Sequence, residues 1–252
     1  MTQFKLRFYG SALGYLWQLM RPLMLFGVLY FVFSEFLRVG EQVRFYPVAL
    51  LLGIVLYSFF SEATSRSVRS MVERENLVRK IDVPRLAVPL ATLLTALMNL
   101  ALNLVPVVLF LLLSGGRPRW SWLELPLLVL VLAVFVLGVS MLLSSLFVRF
   151  RDIEPIWDVL LQALFYASAV FFPLELLFSH DLGWAARVIA CNPFTAVLQQ
   201  ARHALVDPTH MSVVEALGSP AMLLVPAAVT LLAVGVGFAV FGREARRIAE
   251  EL

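Results

Sequence analysis

Arg66 to Arg85 reads RSVRSMVERENLVRKIDVPR, a basic stretch with apolar runs on both sides. It holds six of the chain's twenty Lys and Arg residues, and no other connection between apolar runs holds more than two. Outward from it lie six apolar segments, at 22–38, 46–64, 88–114, 122–148, 156–178 and 220–242. A spanning helix needs about 20 mostly apolar residues to cross hydrocarbon about 30 Å thick. Hydrophobic residues make up 61% of the chain and charged residues 15%, against roughly half and a quarter in soluble domains. The apolar runs are continuous rather than alternating, which selects helices over a barrel. The expected fold is an all-α integral membrane protein, one transmembrane domain over residues 1–252 with six crossings. The basic stretch then falls at a membrane edge, where a partner outside the bilayer would engage.

Six crossings put both termini on one side. The termini, 65–87 and 149–155 together carry fourteen Lys and Arg, and the connections on the other side carry six. The positive-inside rule places the richer set, with both termini, in the cytoplasm. Trp17, Trp120, Trp122 and Trp157 all fall near segment ends, as an interfacial belt requires. Cys191 is the only cysteine, so no internal disulfide is possible. The run after Arg21 lacks a small-x-small site before Glu41, and no cleavable leader is expected.

Residues 1–21 are not expected to span. At 100° per residue, Gln3, Arg7, Gly10, Ser11, Gly14, Gln18 and Arg21 share one narrow sector, while Phe4, Tyr9, Leu13 and Trp17 lie outside it. This pattern predicts a helix lying in the cytoplasmic headgroup layer; a lead-in to the first span is the plainer alternative. Glu35, Glu62, Glu124, Asp158 and Glu175 sit within two turns of segment ends. None is at mid-membrane, where ion-coupled transporters keep their ionisable groups. Thr92, Thr95, Asn99 and Asn103 line one face of the third segment, and Ser140 with Ser144 one face of the fourth. Hydrogen bonding between helices is the commoner use of such stripes, a substrate path the other.

No G-x-x-x-x-G-K-[ST] phosphate loop occurs, so the chain is not expected to hydrolyse ATP itself. Leu113 to Gly116 spells LSGG, read here as a turn between the third and fourth segments. His180, His203 and His210, with Cys191, lie in 179–219 at spacings that match no metal site; these histidines are expected to face solvent.

Four blocks carry a family resemblance: YGSALGYLWQLMRP (Tyr9 to Pro22), ENLVRKIDVPRLAVPL (Glu75 to Leu90), FRDIEPIWDVLLQALFYASAVFFPLE (Phe150 to Glu175) and NPFTAVLQQARHAL (Asn192 to Leu205). Together they resemble membrane subunits of type-2 ABC exporters, in particular those for polysaccharide, O-antigen and teichoic acid. Members usually carry more residues ahead of the first block. They also usually carry Tyr-Pro where this chain has Phe172-Pro173, which keeps the ring and loses the hydroxyl.

The resemblance implies a permease in the bacterial plasma (inner) membrane that moves a lipid-linked cell-surface polysaccharide outward; a type-2 exporter of a drug or small lipid is the alternative. It implies a homodimer with the path between the copies, and two copies of a separate ATPase that bind ATP and Mg, so that this chain needs no cofactor. Residues 66–83 would be the coupling helix, with Arg74, Glu75, Asn76, Leu77, Arg79 and Lys80 meeting the ATPase. Arg151 and Asp152 would form a second cytoplasmic contact or cap the fifth span. Residues 179–219 would re-enter the outer leaflet as a gate, broken at Asn192-Pro193 and including Arg202. Phe26, Tyr30, Phe33, Gln162, Phe165 and Phe172 are candidates for a glycan path, packed or lipid-facing aromatics being the commoner outcome. A membrane-embedded lipid-modifying enzyme would need an interfacial His, Asp or Glu cluster that the sequence lacks. A passive scramblase or scaffold would need no ATPase.

Overall fold

The computed structural model describes residues 16–36, 38, 43–73 and 86–250, and every regular element among them is helical. Helix α1 (Leu16–Tyr30) runs on through a π-helical turn (Phe31–Phe36). It begins ahead of the expected boundary at residue 22, with Pro22 inside it. Pro22 lacks the N–H that would bond the Gln18 carbonyl one turn back. The stretch from Trp17 to Arg21 is therefore continuous with the first span, while residues 1–15 of the expected interfacial helix, Tyr9 and Gly14 among them, lie outside the described residues.

Helix α2 (Tyr46–Glu73) is the core of the molecule. Its residues from Tyr46 to Phe60 are almost all buried, and α3 (Ala87–Leu113) and α4 (Glu124–Arg149) pack along it. The helix does not end near residue 64 as the apolar run suggests. Val68 and Met71 keep an apolar face turned inward, joined by buried Ser67 and Ser70. The first eight residues of the expected coupling segment are thus helical turns of α2, and 74–85 lie outside the described residues.

Helix α10 (Leu224–Glu250) packs against α4 at a glycine crossing. A Cβ at Gly138 would stand 2.7 Å from the Ala233 carbonyl carbon, and one at Gly237 would collide with the Gly138 backbone. Such close approach gives dispersion contacts where no hydrophobic effect separates helix from lipid.

The fifth segment departs most from expectation. Helix α5 (Ile153–Ala167) has 15 residues, about 22 Å at 1.5 Å each, too short to cross alone. The chain leaves helical geometry at Ser168–Leu174, where Ala169 takes a left-handed φ of 53°. It then folds into short helices α6 (Glu175–Ser179), α7 (Gly183–Ala190), α8 (Pro193–Ala201) with a π-helical turn to Val206, and α9 (Val213–Leu217). Among the described residues, five helices are long and apolar enough to cross a membrane: Trp17–Phe36, Tyr46–Glu73, Ala87–Leu113, Trp120–Arg149 and Pro220–Arg243. The LSGG stretch caps α3 as a turn, with Gly115 at φ 90°.

Candidate functional site

The break after α5 exposes backbone carbonyls, and side chains remote in sequence satisfy them. Arg202, 2% exposed, donates from Nη2 to the Val170 carbonyl (2.7 Å) and from Nη1 to that of Phe172 (3.3 Å). Its Nε reaches the Ala49 carbonyl on α2 at 3.4 Å. The Tyr46 hydroxyl donates to the Phe171 carbonyl at 2.6 Å, and Thr195 Oγ1 to that of Ser168 at 3.3 Å. Gly53 makes room for this arrangement, since a Cβ there would stand 2.6 Å from the Val170 oxygen and 3.2 Å from Arg202 Nη2. Irregular backbone among apolar helices requires this internal satisfaction, and the rigid guanidinium fork supplies several donors at once.

Asn192 and Pro193 separate α7 from α8 as the sequence suggests. The Asn192 side chain accepts from the Phe194 N–H at 3.0 Å, Pro193 takes the first helical position, and Asn192 Nδ2 donates to Ser168 Oγ at 3.1 Å. That is an N-cap whose second hydrogen bond holds the break in place. At the other end of α8, Arg119 Nη2 and Ser121 Oγ donate to the carbonyls of Val206 (2.8 Å) and Ala204 (2.6 Å) in the π-helical turn.

The aromatic candidates divide. Phe33 from the end of α1 and Phe165 from α5 converge on Phe171, at centroid distances of 4.9 and 6.2 Å. Tyr166 (5.7 Å) and Phe172 (5.1 Å) meet the same ring edge-on. Phe26 stacks with Tyr30 and meets Phe110 of α3 instead. Gln162 points outward from α5, exposed. Phe171, the centre of the group, escaped sequence reasoning because it lies outside any helix, where no periodicity marks a face.

Two of the three histidines are not solvent-facing. His210 is 2% exposed, and His203, half-buried, turns its Nδ1 to the His210 carbonyl at 2.7 Å; His180 is exposed. The local chain order cannot reveal this, because the cover comes from α6 and α8. Glu175 Oε1 accepts from the Met211 N–H (2.6 Å) and Gln199 Nε2 (3.0 Å), with the His210 ring 3.8 Å away. Burial lowers the His210 pKa against the pull of Glu175. Glu215 lies below the usual carboxylate range because the Ser212 N–H bonds it in a capping box. Among the described residues, no three His, Cys, Asp or Glu side chains gather as a metal site.

Toward Glu73, α2 carries a different set of polar contacts. Arg69 Nε pairs with Glu154 Oε1 of α5 at 2.6 Å, and the Arg151 guanidinium lies over the Phe147 ring at 4.9 Å. Asp152 occupies the N-cap position of α5 without a side-chain cap bond; it and Arg151 are exposed. Trp17 on α1 is 56% exposed. Arg74, Glu75, Asn76, Leu77, Arg79 and Lys80 lie outside the described residues. Between the two ends, the polar stripe of α3 bonds to α2: Asn99 Nδ2 to Glu62 Oε1 at 2.8 Å and Thr92 Oγ1 with Ser67 Oγ at 3.0 Å. Thr95 and Asn103 bond backbone carbonyls of their own helix.

Long apolar helices around a buried central one, with an irregular segment sealed by internal hydrogen bonds, define a polytopic α-helical membrane protein. The chain matches the family model described as ABC-2 type transporter over residues 1–206, and it belongs to that family. It is similar to an O-antigen export system permease protein RfbA of Klebsiella pneumoniae, 27% identical over 206 residues, 81% of this chain and 77% of the relative. A protein of the same name from Myxococcus xanthus is 27% identical over 197 residues, 78% and 74% of the two chains. The polysialic acid transport protein KpsM of Escherichia coli is 24% identical over 211 residues, 82% and 79%.

Proposed function

We propose that this chain is the membrane subunit of an ATP-driven exporter that moves a lipid-linked cell-surface polysaccharide outward across the bacterial inner membrane. The observation that carries the reading is the alignment of about four-fifths of the chain with permeases named for O-antigen export. ATP and Mg bind a separate ATPase, present in two copies, and two copies of this chain enclose the path. Residues 66–83 form the coupling element, with Arg74, Glu75, Asn76, Leu77, Arg79 and Lys80 facing the ATPase and Arg151 with Asp152 beside them. Helix α5, with the irregular stretch and short helices after it, completes a sixth crossing, so that both termini are cytoplasmic. In that orientation the Arg202 arrangement stands at the extracytoplasmic end, where 179–219, including Asn192 and Pro193, re-enters the outer leaflet as a gate. The group around Phe171, with Phe33, Phe165 and Phe172, offers ring faces suited to sugars. Phe26, Tyr30 and Gln162 extend that surface along α1 and α5, and residues 1–21, with Tyr9, Gly14 and Trp17, flank it at the inner leaflet.

The test is coexpression with the ABC ATPase encoded beside the chain, followed by purification in detergent. A stable complex with stimulated ATP hydrolysis, lost in the double reversal Glu75→Arg/Arg79→Glu, is expected. A chain that purifies alone and is indifferent to those reversals would overturn the reading in favour of a scramblase or scaffold. A complex stimulated by a drug or small lipid, and by no lipid-linked glycan, would reassign the substrate.

A further inference from the structure

Glu62 is a carboxylate on the central helix, eleven residues before its end, with a side chain 19% exposed. Carboxylates within spanning helices are costly and are held by partners, and this one has partners on three helical positions. Gln18 Nε2 of α1 donates to both of its oxygens, at 3.2 and 3.3 Å. Asn99 Nδ2 of α3 donates to Oε1 at 2.8 Å, and Arg66, one turn along α2, forms an ion pair with the same oxygen. Among the described residues, the hydrogen bonds between α1 and α2 all end on Glu62.

The chemistry of the group explains why a carboxylate serves here. An ionised carboxylate is acceptor-only, with about four lone-pair sites, so it can take several donors at once; a carboxamide of the same size offers one accepting oxygen and adds donors. The bonds sit between the two ends of α2. Toward Glu73 the further links are Thr64 with Trp157 of α5, Ser67 with Thr92 of α3 and Arg69 with Glu154 of α5. A displacement of the turns of α2 from Arg66 to Glu73, where the basic stretch begins, therefore reaches α1 and α3 through a junction that Glu62 centres. We infer that Glu62 is a positioning residue for transport: it fastens α1 and α3 to α2, so that movement of the Arg66–Arg85 segment is delivered to the helices lining the path.

This rests on the proposed function, since it takes that segment as the ATPase contact. The experiment compares wild type with Glu62→Gln, which keeps volume and removes charge and an acceptor. Complex assembly, ATP hydrolysis and surface glycan are measured on the same cells. The complex is expected to assemble and hydrolyse ATP near the wild-type rate while exported glycan falls about tenfold or more, within the usual span of coupling factors. Glycan export and ATP hydrolysis falling together with the amount of complex, or both unchanged, would overturn the inference. A second measurement needs no ATPase: thermal unfolding of the full chain in detergent with Gln18→Ala, Glu62→Gln and both. Non-additivity of about 2–4 °C is expected from coupled neighbours in a chain of this size; additive shifts would overturn the fastening. If wild type binds no ATPase, the proposed function fails, and the unfolding cycle still decides whether Glu62 ties α1 to α2.

Discussion

The two ends of α2 are built differently. Around Tyr46 to Gly53, a buried guanidinium, a tyrosine hydroxyl and a missing Cβ hold the irregular stretch 168–172 in one position. Around Arg66 to Glu73, the links to α5 are an ion pair with a half-exposed arginine and the Trp157 indole donating to Thr64 Oγ1 at 3.1 Å. A buried polar network that is fully satisfied fixes a unique arrangement, and removing one member leaves its partners costly orphans. An exposed pair is screened by water and holds little. One end is thus a fixed frame, and at the other the described link of Arg69 to α5 is exposed to solvent.

The largest effect tests the frame. Arg202→Leu leaves the Val170 and Phe172 carbonyls without their donors and should destabilise by about 1–3 kcal/mol for each orphaned carbonyl. Folded yield and thermal unfolding in detergent would register it, with Arg202→Lys intermediate because an ammonium lacks the fork. Gly53→Ala forces a methyl against the Val170 oxygen and should cost about 1–3 kcal/mol by overpacking, read in the same assay. Asn192→Ala removes an N-cap and should cost about 1 kcal/mol. Arg69→Glu, at the other end, should leave the unfolding temperature nearly unchanged, while Arg69→Glu/Glu154→Arg restores the pair; a large loss from the single change would erase the contrast between the ends.

The smallest effect concerns pH. The Glu215 carboxyl lies below its ordinary range because the Ser212 N–H bonds its charged form. A lowered carboxylate pKa contributes stability that is complete above the unfolded value and is lost as pH falls through the folded one. The protection of the Val213–Leu217 amides, relative to their intrinsic exchange at each pH, should therefore hold through neutral and mildly acidic pH and fall only below the usual carboxylate range. Glu215→Gln should flatten that dependence.

The contrast also explains what the sequence made legible. The four longest spans were readable because each is one continuous apolar run. That α2 runs on past residue 64 was readable in principle from Val68 and Met71, spaced three apart with Ser67 and Ser70 alongside them. The end of α5 was not. Ser168 to Phe172 is as apolar as a helix; Pro173 disfavours continuing it, but the carbonyls that the break frees are satisfied by Arg202, Tyr46 and Thr195, which lie far off in the chain. Phe171 and buried His210 were missed for the same reason. Arg202 and Asn192 were named from the sequence as members of a gate segment, but their bonding partners could not be named.

The separation between the broken helix and the residue that seals it has a consequence for biosynthesis. When Val170 leaves the ribosome, Arg202 is still 32 residues behind, about 2–6 s at ordinary elongation rates. Through that interval the bare carbonyls after α5 have no place in hydrocarbon. In the topology proposed above, the stretch from α5 to α8 can settle in hydrocarbon only after Arg202 has been made.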